Sequence, residues 1–212
     1  MIGYYKRYTT MARSTVMMLL LLWFSMGAKA QEMTLSNNIL YDATLTPNLQ
    51  LGVTLSPRWT MGLTMGFRPW PTSDDTSRKW RHLLISPEVR YWKDSLEVGS
   101  FYGANFIYSH YNVADVNLLI YSSINGERRQ GDMVALGAFY GYSWALGPRW
   151  TLEALAGLAI GYAWYDRYEC GRCGDKTGDD SKLFLLPQLG VNIVFHIPTK
   201  KRENNYITRL YE

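Results

Sequence analysis

Hydrophobic and polar residues alternate along most of this chain, in segments of about ten residues, the length a strand needs to cross a bilayer. Met61, Leu63, Met65 and Phe67 share one phase, and Thr60, Gly62, Thr64 and Gly66 the other. Leu49, Leu51, Val53 and Leu55 oppose Gln50, Gly52, Thr54 and Ser56. Val134, Leu136, Ala138, Tyr140, Tyr142 and Trp144 oppose Ala135, Gly137, Phe139, Gly141 and Ser143. Leu183, Leu185, Pro187, Leu189, Val191, Ile193 and Phe195 oppose Gln188, Gly190, Asn192 and His196. A period of two held this long predicts strands with two unlike faces, because successive side chains point to opposite sides of a sheet. Eight such segments can be placed, at 33–43, 48–56, 59–69, 80–92, 97–110, 132–146, 150–165 and 182–197. The connections 57–58, 93–96 and 147–149 are short, whereas 71–79, 111–131 and 166–181 are long; 44–47 is a tight exception. Short turns at one end, long loops at the other and an even strand count are the signature of outer-membrane barrels. The predicted fold is all-β, an eight-stranded antiparallel transmembrane β-barrel over residues 31–198.

A soluble barrel needs a solvated outer face. Residues 133–165 hold only Arg149 and Glu153 as charges, and Arg149 falls in a turn. Trp59, Trp70, Trp80, Trp92, Trp144, Trp150 and Trp164 all lie near predicted strand ends, as interfacial girdles require. Trp70, Trp80 and Trp92 nevertheless fall on the more polar phase. Gly137-x-x-x-Gly141 and Gly157-x-x-x-Gly161 also fit a helix-packing motif. Those segments are too short to span as helices, and Glu153 would sit inside the second.

The net charge of +4 comes from the first thirty residues. Lys6, Arg7, Arg13 and Lys29 lie there without an acid, which leaves 18 basic against 18 acidic residues beyond them. The balance gives no support for nucleic-acid binding. Lys6, Arg7 and Arg13 precede an apolar run over 16–26 and the small-x-small site Ala28-Lys29-Ala30. This three-part pattern predicts a secretory signal peptide over 1–30, cleaved before Gln31, and export to the outer membrane. The end of the chain, 199–212, is charged and predicts a periplasmic tail.

Glu88, Arg90 and Glu153 fall on the small, polar phase of their strands. Facing lipid, each would be costly. Facing inward they can pair and fill the narrow interior of an eight-stranded barrel. Cys170 and Cys173 predict a local loop disulfide in an exported chain. A redox role would need a βαβ setting and a zinc site further ligands. Ser109 and His110 are adjacent and point to opposite faces, while His82 and Ser86 share the inner face without an evident acid. These residues predict no catalytic set, no cofactor and no metal. Ser56-Pro57-Arg58-Trp59-Thr60 recurs as Gly147-Pro148-Arg149-Trp150-Thr151, a turn followed by an interfacial Trp.

Asn38-Ile39-Leu40-Tyr41-Asp42-Ala43 with Thr46-Pro47-Asn48-Leu49 resembles the opening of the domain-of-unknown-function family 3575. Lys79-Trp80-Arg81-His82 running to Pro87-Glu88-Val89-Arg90-Tyr91-Trp92, then Gly99-x-Phe101-x-Gly103 and Tyr111-Asn112, fit the same pattern. The resemblance implies an outer-membrane barrel of Bacteroides-type bacteria, without assigned activity, often encoded beside fimbria-like surface fibres. Gln188-x-Gly190-x-x-Ile193-x-Phe195 resembles the signal read by the barrel-insertion machinery, although the chain continues past it. The expected partners are outer-membrane lipid, that machinery and surface fibre or adhesin components. The expected role is structural or accessory, acting through the outward loops. A narrow channel or ligand-binding barrel is the alternative, and a lipid-modifying enzyme a more distant one.

Overall fold

The computed structural model describes residues 32–70, 79–94, 97–118, 121–169 and 174–197. The elements are β1 (Met33–Asn38), α1 (Ile39–Ala43), β2 (Asn48–Ser56), β3 (Trp59–Arg68), β4 (Lys79–Trp92), β5 (Gly99–Leu118), β6 (Tyr121–Ala145), β7 (Trp150–Tyr168) and β8 (Lys176–His196). The eight strands pair antiparallel in chain order and close into a barrel, β8 returning to β1. Thr34 sits opposite His196 and Asn38 opposite Asn192, so the first and last strands meet at the end where the short turns lie.

The polarity of this barrel is inverted relative to a soluble one. Leu136, Leu158, Leu183 and Leu189 are 60–69% exposed on the outside. Arg90, Asn105, Glu153, Asn192 and His196 are buried within. The predicted phases therefore hold, apolar side outward. On β6 the outward apolar series runs from Val134 to Trp144, about 34 Å at the rise of an extended strand. A tilt of about 40° shortens that to roughly 26 Å, the height of a bilayer's apolar band. Among the described residues no helix is long and apolar enough to cross a membrane.

Beyond the band the strands continue. Outward positions turn polar at His110, Asp132, Asp166 and Asp179, yet β5–β6 pairing runs on from Tyr111↔Gly131 to Leu118↔Tyr121. β7–β8 pairing likewise extends to Tyr168↔Lys176. The segments expected as loops at 111–131 and 166–181 are thus largely paired hairpin. Their outward side chains lose the apolar alternation because water replaces lipid, while the backbone ladder persists.

The first strand is shorter than expected. Instead of reaching residue 43 it stops at Asn38. Asn38 N–H donates to Asn48 Oδ1 at 2.8 Å, and Asn48 Nδ2 donates to Asn38 O at 2.9 Å. The Asn38 side chain then accepts from Leu40 N–H and caps α1. The expected leader over 1–30, the Cys170–Cys173 bridge and the tail over 199–212 lie outside the described residues.

Candidate functional site

The lumen is filled in layers. At its centre Arg90, from β4, meets Glu153 of β7 with Nη1 2.9 Å from Oε2, and its Nε donates to Glu88. Its Nη2 donates to Gln50 Oε1 at 3.3 Å. Gln50 in turn accepts from Ser36 Oγ at 2.7 Å, and Asn192 Nδ2 donates to Glu153 Oε2 at 3.3 Å. The guanidinium face lies 4.9 Å from the Phe101 ring centre and 5.9 Å from that of Phe139. A buried cation is tolerable when its donors find acceptors and its faces find rings, and this one has both.

The phenyl rings fit because glycines face them. A methyl group on Gly103 would stand 2.2 Å from Phe139 Cζ, and one on Gly141 would stand 2.3 Å from Phe101 Cζ. Gly141, one of the glycines at helix-motif spacing in the sequence, is therefore a socket for a lumenal side chain, as is Gly161 beside the Phe184 ring. Trp92 continues this layer, 4.7 Å from Phe101, with Nε1 donating to Thr60 Oγ1 at 3.0 Å. Expected in a girdle, Trp92 is 1% exposed in the lumen. Its inward phase, opposite Phe101 in the β4–β5 register, decides this. Trp80 also departs from the girdle and stacks under Arg68 at 4.5 Å. Trp59, Trp144, Trp150 and Trp164 do face outward.

At the short-turn end His196 lies between Thr151 and Glu97. Its Nε2 is 3.0 Å from Thr151 Oγ1, and its Nδ1 is 2.9 Å from Glu97 Oε2. Glu97 takes a left-handed backbone, φ 61°, which folds its turn over the lumen. Ser143 Oγ donates to its carbonyl at 3.0 Å. Hydroxyl, imidazole and carboxylate lie in the order of a nucleophile–base–acid set, but the imidazole Nδ1 makes no hydrogen bond to the carboxylate. Thr151 has no exposed surface and His196 only 2%. A substrate carbonyl has no approach, and the set works as a stopper. Sequence spacing hid it, because Thr151 and His196 stand 45 residues apart on neighbouring strands and Glu97 comes from a turn further upstream; the inward phase of His196 was its one visible sign.

Toward the long-hairpin end Asn105 Nδ2 donates to Gln188 Oε1 at 2.8 Å. Above them Leu84, Ile107, Ala135 and Ala159 form an apolar plug, joined by Tyr41 from α1. Among the described residues the lumen keeps small voids, about 60 Å³ beside Gln50, Glu88 and Asn105 and about 20 Å³ beside Thr60, Trp92 and Glu97. Each admits a few waters at most.

The remaining expected residues are scattered. Ser109 is buried and His110 exposed, 2.9 Å from Asp132. His82 and Ser86 face inward, and Ser86 Oγ accepts from Asn105 at 3.4 Å. Of the expected insertion signal, Gln188 and Gly190 face the lumen and Ile193 and Phe195 the outside, Phe195 stacking on Trp150 at 4.9 Å. Among the described residues no three His, Cys, Asp or Glu gather as metal ligands.

An apolar exterior around a plugged polar lumen defines a small transmembrane β-barrel. The chain belongs to the family of proteins of unknown function DUF3575, whose family model matches residues 16–197. It is also similar to the N-terminal β-barrel domain of Pseudomonas aeruginosa OprF, with 17% identity, 79% of this chain and 96% of that chain covered, and a TM-score of 0.37. No curated protein matches the chain.

Proposed function

We propose that this protein is a non-enzymatic, closed barrel of the bacterial outer membrane that presents its long hairpins outside the cell to surface structures. One observation carries the reading: β5–β6 and β7–β8 remain paired well beyond the apolar band, while the lumen below them is filled. Extended hairpins on a rigid scaffold hold a binding surface in place at little entropic cost. Fimbria-like fibres are the favoured partners, on the family resemblance of the sequence.

The test is a pair of variants shortened at the Tyr111↔Gly131 and Arg167↔Gly178 pairs. Both should still fractionate with outer membranes and show heat-modifiable migration. A fibre component crosslinked to the full protein should be lost from the shortened one. Retention of that component, or recovery of the full protein as a soluble periplasmic species, would overturn the reading.

A further inference from the structure

On the inner face of the mouth the ladder sets two arginines side by side. Arg129 of β6 and Arg167 of β7 are direct register partners. Directly opposed like charges destabilise a sheet. Strand alternation turns both inward, to the side where Tyr165 is buried, and the Arg129 guanidinium lies 5.1 Å from the Tyr165 ring centre. Nε of each arginine is buried without a hydrogen-bond partner. The next position in the row is Gly178, where a methyl group would lie 3.5 Å from Arg167 Nη2.

The adjoining row repeats the chemistry. It runs from Arg68 through His82 and Tyr111 to Gly131 and Tyr165. Arg68 is 4% exposed, and its Nε is also unpartnered, as is Nδ1 of His82. Burial pushes the Tyr111 hydroxyl up to about 12. Among the described residues, carboxylates do little to offset the arginines. Glu127 reaches Arg129 only at 3.5 Å. Asp180, on β8, is exposed and accepts from Ser181 N–H at 2.8 Å, with the opposite charge of Lys182 on the same phase.

We propose that this mouth binds a phosphate group, gripped between Arg129 and Arg167. Two guanidinium forks on adjacent strands present more donors than a planar carboxylate accepts, and a phosphate dianion relieves their mutual repulsion. The Tyr111 and Tyr165 rings lie in the adjoining row, which suits a sugar carrying the phosphate. The inference goes beyond the hairpin reading and does not depend on any fibre partner.

The test uses the folded barrel in detergent at low salt, titrated calorimetrically with inorganic phosphate and separately with glucose 1-phosphate. Saturable binding is expected, weakened at least tenfold in the R129Q/R167Q variant. Arg128, stacked on Tyr168 at 4.1 Å on the outer face, supplies the control: Arg128→Gln should bind as the parent does. Tighter binding of the sugar phosphate assigns the rings to the ligand, and equal binding assigns the site to phosphate alone; either supports the proposal. Should R129Q/R167Q fail to show heat-modifiable migration, Gly178→Asp, which sets a carboxylate beside Arg167, should weaken binding in a folded barrel. Absence of saturable binding by the parent, or equal affinity in a folded R129Q/R167Q or Gly178→Asp barrel, would overturn it.

Discussion

Arg90 and Glu153 stand 63 residues apart in the chain and 2.9 Å apart across the lumen, one on β4 and the other on β7. This contact, with Glu88 on the other side of the guanidinium, ties opposite walls of the barrel through charges that have lost their water.

Removing one partner strands the other. Glu153→Ala should lower the unfolding free energy in phospholipid vesicles by about 3 kcal/mol, the cost of breaking a buried pair. Arg90→Glu alone should cost at least as much, and combining it with Glu153→Arg should recover part of the loss. A urea midpoint unchanged in both single variants would sink the claim that the network holds the barrel together.

The lumen is closed at several levels, so the native barrel should give no discrete conductance steps in a planar bilayer. Phe101→Ala with Phe139→Ala empties the aromatic layer around Arg90 and should produce small, frequent openings. Steady ohmic conductance by the native protein contradicts this account.

His196 belongs to the stopper at the short-turn end. Thr151→Val keeps the shape of the side chain and removes its bond to the imidazole, so stability should fall by about 1 kcal/mol. The native barrel should hydrolyse neither phospholipid nor p-nitrophenyl esters. Ester turnover abolished by Thr151→Val would instead make the buried set catalytic.

Glu32, next to the predicted cleavage point, is already in the ladder, its carbonyl accepting from Thr54 N–H at 3.0 Å. Mass spectrometry of protein from outer membranes should find Gln31 as the first residue. A retained segment over 1–30 would contradict the predicted cleavage.

Strands β2, β3 and the membrane portions of β6–β8 were legible because lipid outside and packed side chains inside impose unlike chemistry on alternate residues. Glu88, Arg90 and Glu153 could be read as inward on the same grounds. The end of β1 could not, since the Asn48 side chain bonds both main-chain groups of Asn38 where β1 stops and β2 begins, which leaves no mark on the hydrophobic pattern. The hairpin extensions were hidden for a related reason: Asn112, Gln130 and Asp166 are polar on a face that meets water, which in sequence looks like a loop. Trp92 misled because an aromatic near a strand end suits an interface as well as a lumen. His196 and Glu97 are joined by barrel closure and by one left-handed turn residue, and neither has a local signature.

The shortness of β1 bears on how the ring is made. Closure rests on five register pairs, Thr34–Asn38 against His196–Asn192, whereas β7 and β8 run together from Trp150 to Tyr168. A chain folding into a bilayer can zip its hairpins one after another, but this junction joins its two ends and has the longest loop to close. It is therefore the last clasp fastened. Once open there, the edges of β1 and β8 offer bare amides to hydrocarbon, a state so costly that the folded ring persists through a high barrier to leaving it.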